Sequence, residues 1–146
     1  SGGALADWRG QVVGINTAVA GIGLGLAVPI DSTTRGIIGA LMSDGRVVRA
    51  YLGIAGGYRH LPPRLVERLE RQAGVGVAEV MDSSPAAQAG LAPKDVILAV
   101  DSEPVETSGD LQRLMTSESV GRALRLRVLR DDRVIEVEVV PAELVE

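Results

Sequence analysis

The sequence predicts an α+β fold: short apolar strands, interrupted by short helices, form a partly open β-barrel behind a separate strand-rich segment. Three observations carry this. Near the end of the chain, Leu124, Leu126, Val128 and then Ile135, Val137, Val139 alternate with polar residues on either side of a hinge at Arg130 to Arg133, the pattern of a half-buried hairpin. Val96 to Val100 is an unbroken apolar run between Asp95 and Asp101, as a central strand requires. Between such runs lie short segments opened by Ser, Thr or Asp beside Pro and closed by Gly, the punctuation of brief helices.

Taken in order, Asp7, Trp8, Arg9 and Gly10 form a turn into a strand over Gln11 to Val19. The glycine-rich stretch Gly21 to Gly25 leads into another short strand, Leu26 to Pro29. Asp31 or Ser32 caps a helix through about Ser43, with Ile37, Ile38, Leu41 and Met42 on its buried stripe and Gly45 as its stop. A boundary at residues 45 to 50 then separates two parts, 1–45 and 46–142. Tyr51 to Ile54 reads as a short strand fading into Gly56 and Gly57. Pro62 and Pro63, leucines at 61, 65 and 69, a Glu67/Arg71 pair and a stop at Gly74 signal a helix. Val75 to Val80 is the next strand, and Ser84 followed by Pro85 opens a helix closed by Gly90, with Leu91 packing back. After the central strand, Asp101 to Pro104 turns, and Thr107 or Ser108 caps a helix carrying Leu111, Leu114 and Met115 on one side.

Composition narrows the function. With 46% apolar and 23% charged residues the 146-residue chain has enough apolar content for a packed core, built from Val, Leu, Ile and Ala because aromatics are only 2%. A net charge of −4 lacks the basic surface that phosphate backbones demand, so nucleic acid is not an expected partner. The absence of cysteine removes thiolate catalysis, disulfides and Cys-based zinc sites, and no metal or cofactor is expected. No apolar run approaches a membrane span of about 20 residues. The chain opens without Met and inside a motif, as an excerpt with its targeting sequence upstream would. The glycines at 21, 23 and 25 do not make a dinucleotide site, because the third small residue would fall at Leu26 or Val28.

Two motifs carry chemistry. Ser1, Gly2, Gly3, Ala4 and Leu5 resemble the segment around the nucleophile of trypsin-like proteases of the HtrA/Deg family. Two further stretches, Gly10 to Thr17 and Gly23 to Pro29, are similar to that family's next strands in the same order. The second part resembles the PDZ domain of those proteases, in the permuted bacterial arrangement: Ala50 to Ile54, which alone would read as plain strand, is similar to its carboxylate-binding loop, and Asp82 to Leu91 followed by Asp95 to Val100 to its most typical pattern. The likeness implies that Gly53 and its neighbours turn their N–H groups toward one point, a nest for the terminal carboxylate of a peptide.

The resemblance implies that residues 1–45 are the tail of a chymotrypsin-like β-barrel and 46–142 a PDZ domain. It implies a serine endopeptidase as parent, with Ser1 as its nucleophile and Leu24, Gly25 and Leu26 at its specificity pocket. A histidine base and an aspartate would precede Ser1, and with both missing the chain alone is expected to be inactive. His60, the only histidine, is expected in a surface loop. The strands within residues 1–30 are expected to lack partners and to fray or pair with a second copy. The PDZ part would add a peptide as a strand along Ile54, Ala55 and Gly56, beside the loop residues Tyr51, Leu52 and Gly53. The last side chain would enter a pocket lined by Leu52, Ile54, Leu111 and Met115, with Leu114 left to the core. Expected ligands are peptides or unfolded proteins with apolar C-termini. The expected compartment is the periplasm or another extracytoplasmic space, with a trimeric, membrane-anchored form open to the parent. A non-catalytic PDZ interaction module is the alternative. The family's pattern has Pro at Ala4, Phe at Leu26 and glycines at Lys94 and Ser102, so the pocket and those two turns are expected to differ locally.

Overall fold

A computed structural model describes residues 1–145, which divide into two compact units meeting at Val47 and Val48. In the first unit, β1 (Ala4–Ala6), β2 (Val12–Val19) and β3 (Gly25–Pro29) form an antiparallel meander in that order. Asp7 builds the first turn: its Oδ1 accepts from the N–H groups of Arg9 and Gln11, each at 2.9 Å. Helix α1 (Ser32–Asp44) starts at Asp31, whose carboxylate accepts from Thr34 N–H at 2.9 Å, and ends at Gly45 with φ of 70°. That backbone hydrogen bond is the main reason the Asp31 carboxyl is held below its usual range.

Two expectations are corrected here. The strands of residues 1–30 do pair within the chain, because tight turns bring each strand against its neighbour in sequence. The stripe expected on α1 is not buried: Ile37 and Ile38 are half-buried, while Leu41 and Met42 are exposed. Pairing has not produced a core, since Val19 remains 79% and Trp8 86% exposed. A three-stranded sheet and one helix offer too little surface to cover these faces.

The second unit is built on one antiparallel sheet. After β4 (Ala50–Tyr51) come β5 (Ile54–His60), α2 (Pro63–Leu69), β6 (Ala73–Val80), α3 (Pro85–Gln88), β7 (Val96–Val100) and β8 (Glu103–Pro104). Helix α4 (Ser108–Leu114), β9 (Leu124–Arg130), β10 (Arg133–Val139) and β11 (Ala142–Glu143) complete it. The order across the sheet is β10-β9-β7-β6-β5, with β8 on β7, and β4 pairs separately with β11. One face of the sheet packs Val75, Val77, Ile97, Leu124, Leu126 and Val128 against side chains from α3 and α4, including Ala86, Leu111 and Met115. On the opposite face Leu61 and Leu65 at the start of α2 cover Val96, Leu98 and Leu129. Val96, Ile97 and Leu98 point alternately to the second and first cores, as the period of a strand dictates, until an irregularity between Ile97 and Ala99 returns Val100 to the first.

The expected strand over Tyr51 to Ile54 is corrected to two strands, broken at Leu52 and Gly53. β5 does not fade at Gly57 but runs on to His60, which is strand-paired with Ala73 and is not in a loop. Helix α2 ends at Glu70, in left-handed backbone with φ of 51°, while Gly74 lies inside β6, where a Cβ would come within 2.6 Å of Val96. Arg71 does not pair with Glu67. Its guanidinium donates to the carbonyls of Ala73, Leu98 and Val105, and this burial lowers its pKa. Lys94 and Ser102 keep the glycine-type backbone, with φ of 77° and 71°. The β9–β10 hinge narrows to Asp131 and Asp132, both at positive φ, the backbone of a two-residue type I′ turn.

A buried ion pair ties the segment before β7 to the end of β9. Asp95, 2% exposed, receives Nε and Nη2 of Arg130 at 2.8 and 2.7 Å, and Ala92 N–H at 2.9 Å. Arg130 also donates to the carbonyl of Gly90 at 2.8 Å, which fixes the exit from α3.

Candidate peptide-binding site

The loop between β4 and β5 is held from behind. Leu52 offers its carbonyl to Ala86 N–H at 2.9 Å, and Gly53 offers its carbonyl to Met81 N–H at 2.8 Å and, more distantly, to the Ser84 hydroxyl at 3.4 Å. Ser84 is buried and accepts from Ala87 N–H at 3.2 Å, so the residue that caps α3 also supports the loop. Gly53 has φ of 81°, and a Cβ there would stand 2.2 Å from that of Ser84, so both conformation and space demand glycine. Both carbonyls point into the protein. The N–H groups of Leu52 and Gly53, both buried residues, have no acceptor among the described residues. Buried N–H groups are rarely left unpaired.

Beside the loop, β5 is the edge strand of the sheet, and α4 lies against it. Ile54 and Ala55 are half-buried and Gly56 is exposed, so the backbone that would receive a peptide strand is accessible. Leu52, Leu111 and Met115 are buried at 5, 7 and 8% exposure, and Ile54 packs against them. They form an apolar floor shared with the main core, while Leu114 is only half-buried. Tyr51 places its hydroxyl 3.0 Å from the position a Cβ of Gly53 would take. A cavity of about 420 Å3 elsewhere is lined mostly by charged residues, including Asp101, Arg122, Arg127 and Glu136, and offers no apolar wall.

The start of helix α4 is fixed by a capping box. Thr107 Oγ1 accepts from Asp110 N–H at 3.1 Å, and Asp110 Oδ2 accepts from the N–H groups of Thr107 at 2.9 Å and Glu106 at 3.0 Å. Those backbone donors, with Arg113 adding a smaller attraction, hold the Asp110 carboxyl down to about 2. A carboxylate with a depressed folded pKa contributes stability above its unfolded value of about 4, lost as the pH falls through about 2. Amide protection at the start of α4 is therefore expected to fall between about pH 4 and 2, and Asp110→Asn is expected to flatten that profile in hydrogen exchange. An unchanged profile in the variant would assign the acid sensitivity to other carboxyls.

In the first unit, Ser1 is exposed and its hydroxyl has no hydrogen-bond partner among the described residues. Leu24 is 55% exposed in the turn before β3, Gly25 pairs with Val19, and Leu26 accepts from the Thr17 hydroxyl at 3.1 Å through its carbonyl. Sequence reasoning identified Ser84 as a cap but missed its support of Gly53, because contacts across 31 residues leave no local pattern. No group of three or more metal-ligating side chains occurs among the described residues, and no helix there is long and apolar enough to cross a membrane.

Residues 44–140 match the PDZ domain family, and the chain belongs to it. Along 99% of its length it is 34% identical to a Chlamydia trachomatis protein named "Probable periplasmic serine endoprotease DegP-like", of which it covers 30%. A protein of the same name from Pseudomonas fluorescens is 35% identical over 94% of the chain, again covering 30% of the relative. Among solved structures, the HtrA-type protease AlgW with a decapeptide superposes with a TM-score of 0.82 at 30% identity, over 100% of this chain and 46% of that one. The serine endoprotease from Yersinia pestis gives 0.77 at 31% identity, over 99% and 48%. The chain thus spans about a third of these curated relatives and just under half of the solved chains.

Proposed function

We propose that this chain is the peptide-recognising portion of an extracytoplasmic HtrA-type serine endoprotease. Residues 46–142 bind C-terminal peptides by strand addition, and residues 1–45 are the tail of the protease domain, with Ser1 as nucleophile. The observation that carries the peptide reading is the pair of unpartnered N–H groups at Leu52 and Gly53, in a loop whose carbonyls are tied down on the other side. A terminal carboxylate accepts from both. The ligand backbone then pairs with the open edge of β5, and the last side chain settles on Leu52, Ile54, Leu111 and Met115. Burying a Val or Leu side chain is worth about 1.5–3 kcal/mol and each net hydrogen bond about 1 kcal/mol. Offset by ordering costs, this gives roughly micromolar affinity. Support for the protease parent comes from matches that run across residues 1–45 as well as the PDZ part, which leaves the reading as a non-catalytic module less favoured. The periplasmic names of the relatives support an extracytoplasmic compartment.

The apolar floor is tested by Leu111→Ala, because deleting buried methyl groups enlarges the space beneath the ligand's last residue. The preference of the variant is expected to move toward Phe-ended over Val-ended peptides by about fivefold, about 1 kcal/mol. The ratio of two affinities is insensitive to a uniform loss of stability. An unchanged ratio in competition titrations would make Leu111 a core residue only.

A further inference from the structure

We propose that recognition extends beyond the terminal residue to a second point, the ring pair Tyr58 and His60, which reads an apolar or aromatic side chain four residues in from the ligand's C-terminus. This rests on strand addition at β5. β5 is seven residues long and, among the described residues, no strand pairs with its outer edge, so Ile54 to Gly56 occupy less than half of it. An antiparallel ligand whose last residue lies opposite Ile54 places the residue four positions back opposite Tyr58, and seven residues reach His60.

The face is set by the register with β6. Gly56 pairs with Val77 and Tyr58 with Val75, and directly opposed residues share a face of the sheet. Val75 and Val77 belong to the same core as Leu111 and Met115, so Tyr58 lies on the side of the terminal pocket. Arg59 lies on the other face, where a Cβ on Gly76 would meet its Cβ at 2.9 Å and its Cδ at 2.8 Å. Tyr58 is 51% exposed, and its ring meets that of His60 edge-on, with centroids 5.0 Å apart and planes at 85°. Its hydroxyl is 3.5 Å from His60 Nε2. A large ring exposed beside an open strand edge, with the ring of His60 against its side, presents an apolar surface to whatever strand is added there.

The test titrates the whole chain by calorimetry with three Val-ended peptides. One has three residues; two have seven, with Trp or Gly at the fifth position counting the terminal residue as the first. The Trp peptide is expected to bind about fivefold tighter than the Gly peptide, the scale of one aromatic contact. Tyr58→Ala is expected to abolish that difference while leaving the tripeptide unchanged, and Tyr58→Phe to preserve it. Equal binding of the two long peptides, or equal weakening of short and long peptides by Tyr58→Ala, would overturn the proposal while leaving the carboxylate loop intact. Failure of every peptide to bind the unaltered chain would overturn the carboxylate-loop reading and this proposal with it.

Discussion

Replacing Arg130 by Ala is expected to destabilise the second unit by about 3 kcal/mol, the lower end for breaking a buried ion pair, because the guanidinium is partly exposed. The variant leaves the Asp95 carboxylate, which is 2% exposed with Arg130 in place, with only Ala92 N–H, and releases the carbonyl of Gly90. For a unit of about 100 residues this corresponds to a fall in Tm of roughly 12–24 °C. Arg130→Lys keeps a charge but cannot reach both carboxylate oxygens and Gly90 together, so an intermediate loss is expected. A Tm for Arg130→Ala within 3 °C of the unaltered chain would show that the pair contributes little.

Gly53→Val is the second large effect. A side chain is forced into φ of 81° and its Cβ falls 2.2 Å from that of Ser84, part of a capped helix start rather than a mobile tip. Backbone strain and overpacking together cost about 2–5 kcal/mol. Because the loop can relieve the contact only by moving away from α3, Leu52 and Gly53 lose the anchors of their carbonyls. Peptide affinity is then expected to fall more than tenfold in titration, even at temperatures where circular dichroism shows the variant folded. Full affinity in a folded variant would place the binding groups elsewhere.

What could be read from the sequence follows what is local. Ser84 before Pro85, Gly90, Thr107 before Asp110 and Gly45 each set a cap or stop through contacts within a few residues, and the structure has helices beginning or ending there. The alternation from Leu124 to Val139 marked β9 and β10 for the same reason. The length of β5 was hidden because Gly56 and Gly57 look like strand breakers. At Gly56 glycine is instead required by the close approach of β6, where a Cβ would lie 2.0 Å from the carbonyl oxygen of Gly76. Arg71 carries no sign in the sequence that it bridges three carbonyls from different segments. The stripe on α1 was misread because periodicity shows which face is apolar but not whether anything covers it. Within the candidate site, Gly53 and the leucine-rich face of α4 were legible, whereas the support of the loop by Met81, Ser84 and Ala86 arises only when β6 and α3 fold beside it.

The central claim is that the loop at Leu52 and Gly53 holds a terminal carboxylate, and the most direct test compares a Val-ended peptide with its C-terminal amide on the unaltered chain by calorimetry. Amidation removes the charge and one acceptor oxygen while leaving the side chain and strand pairing in place. The free acid is predicted to bind at least about tenfold tighter, equivalent to roughly 1.4 kcal/mol. Equal affinity for acid and amide would contradict the account and make the segment around Gly53 an ordinary strand connection.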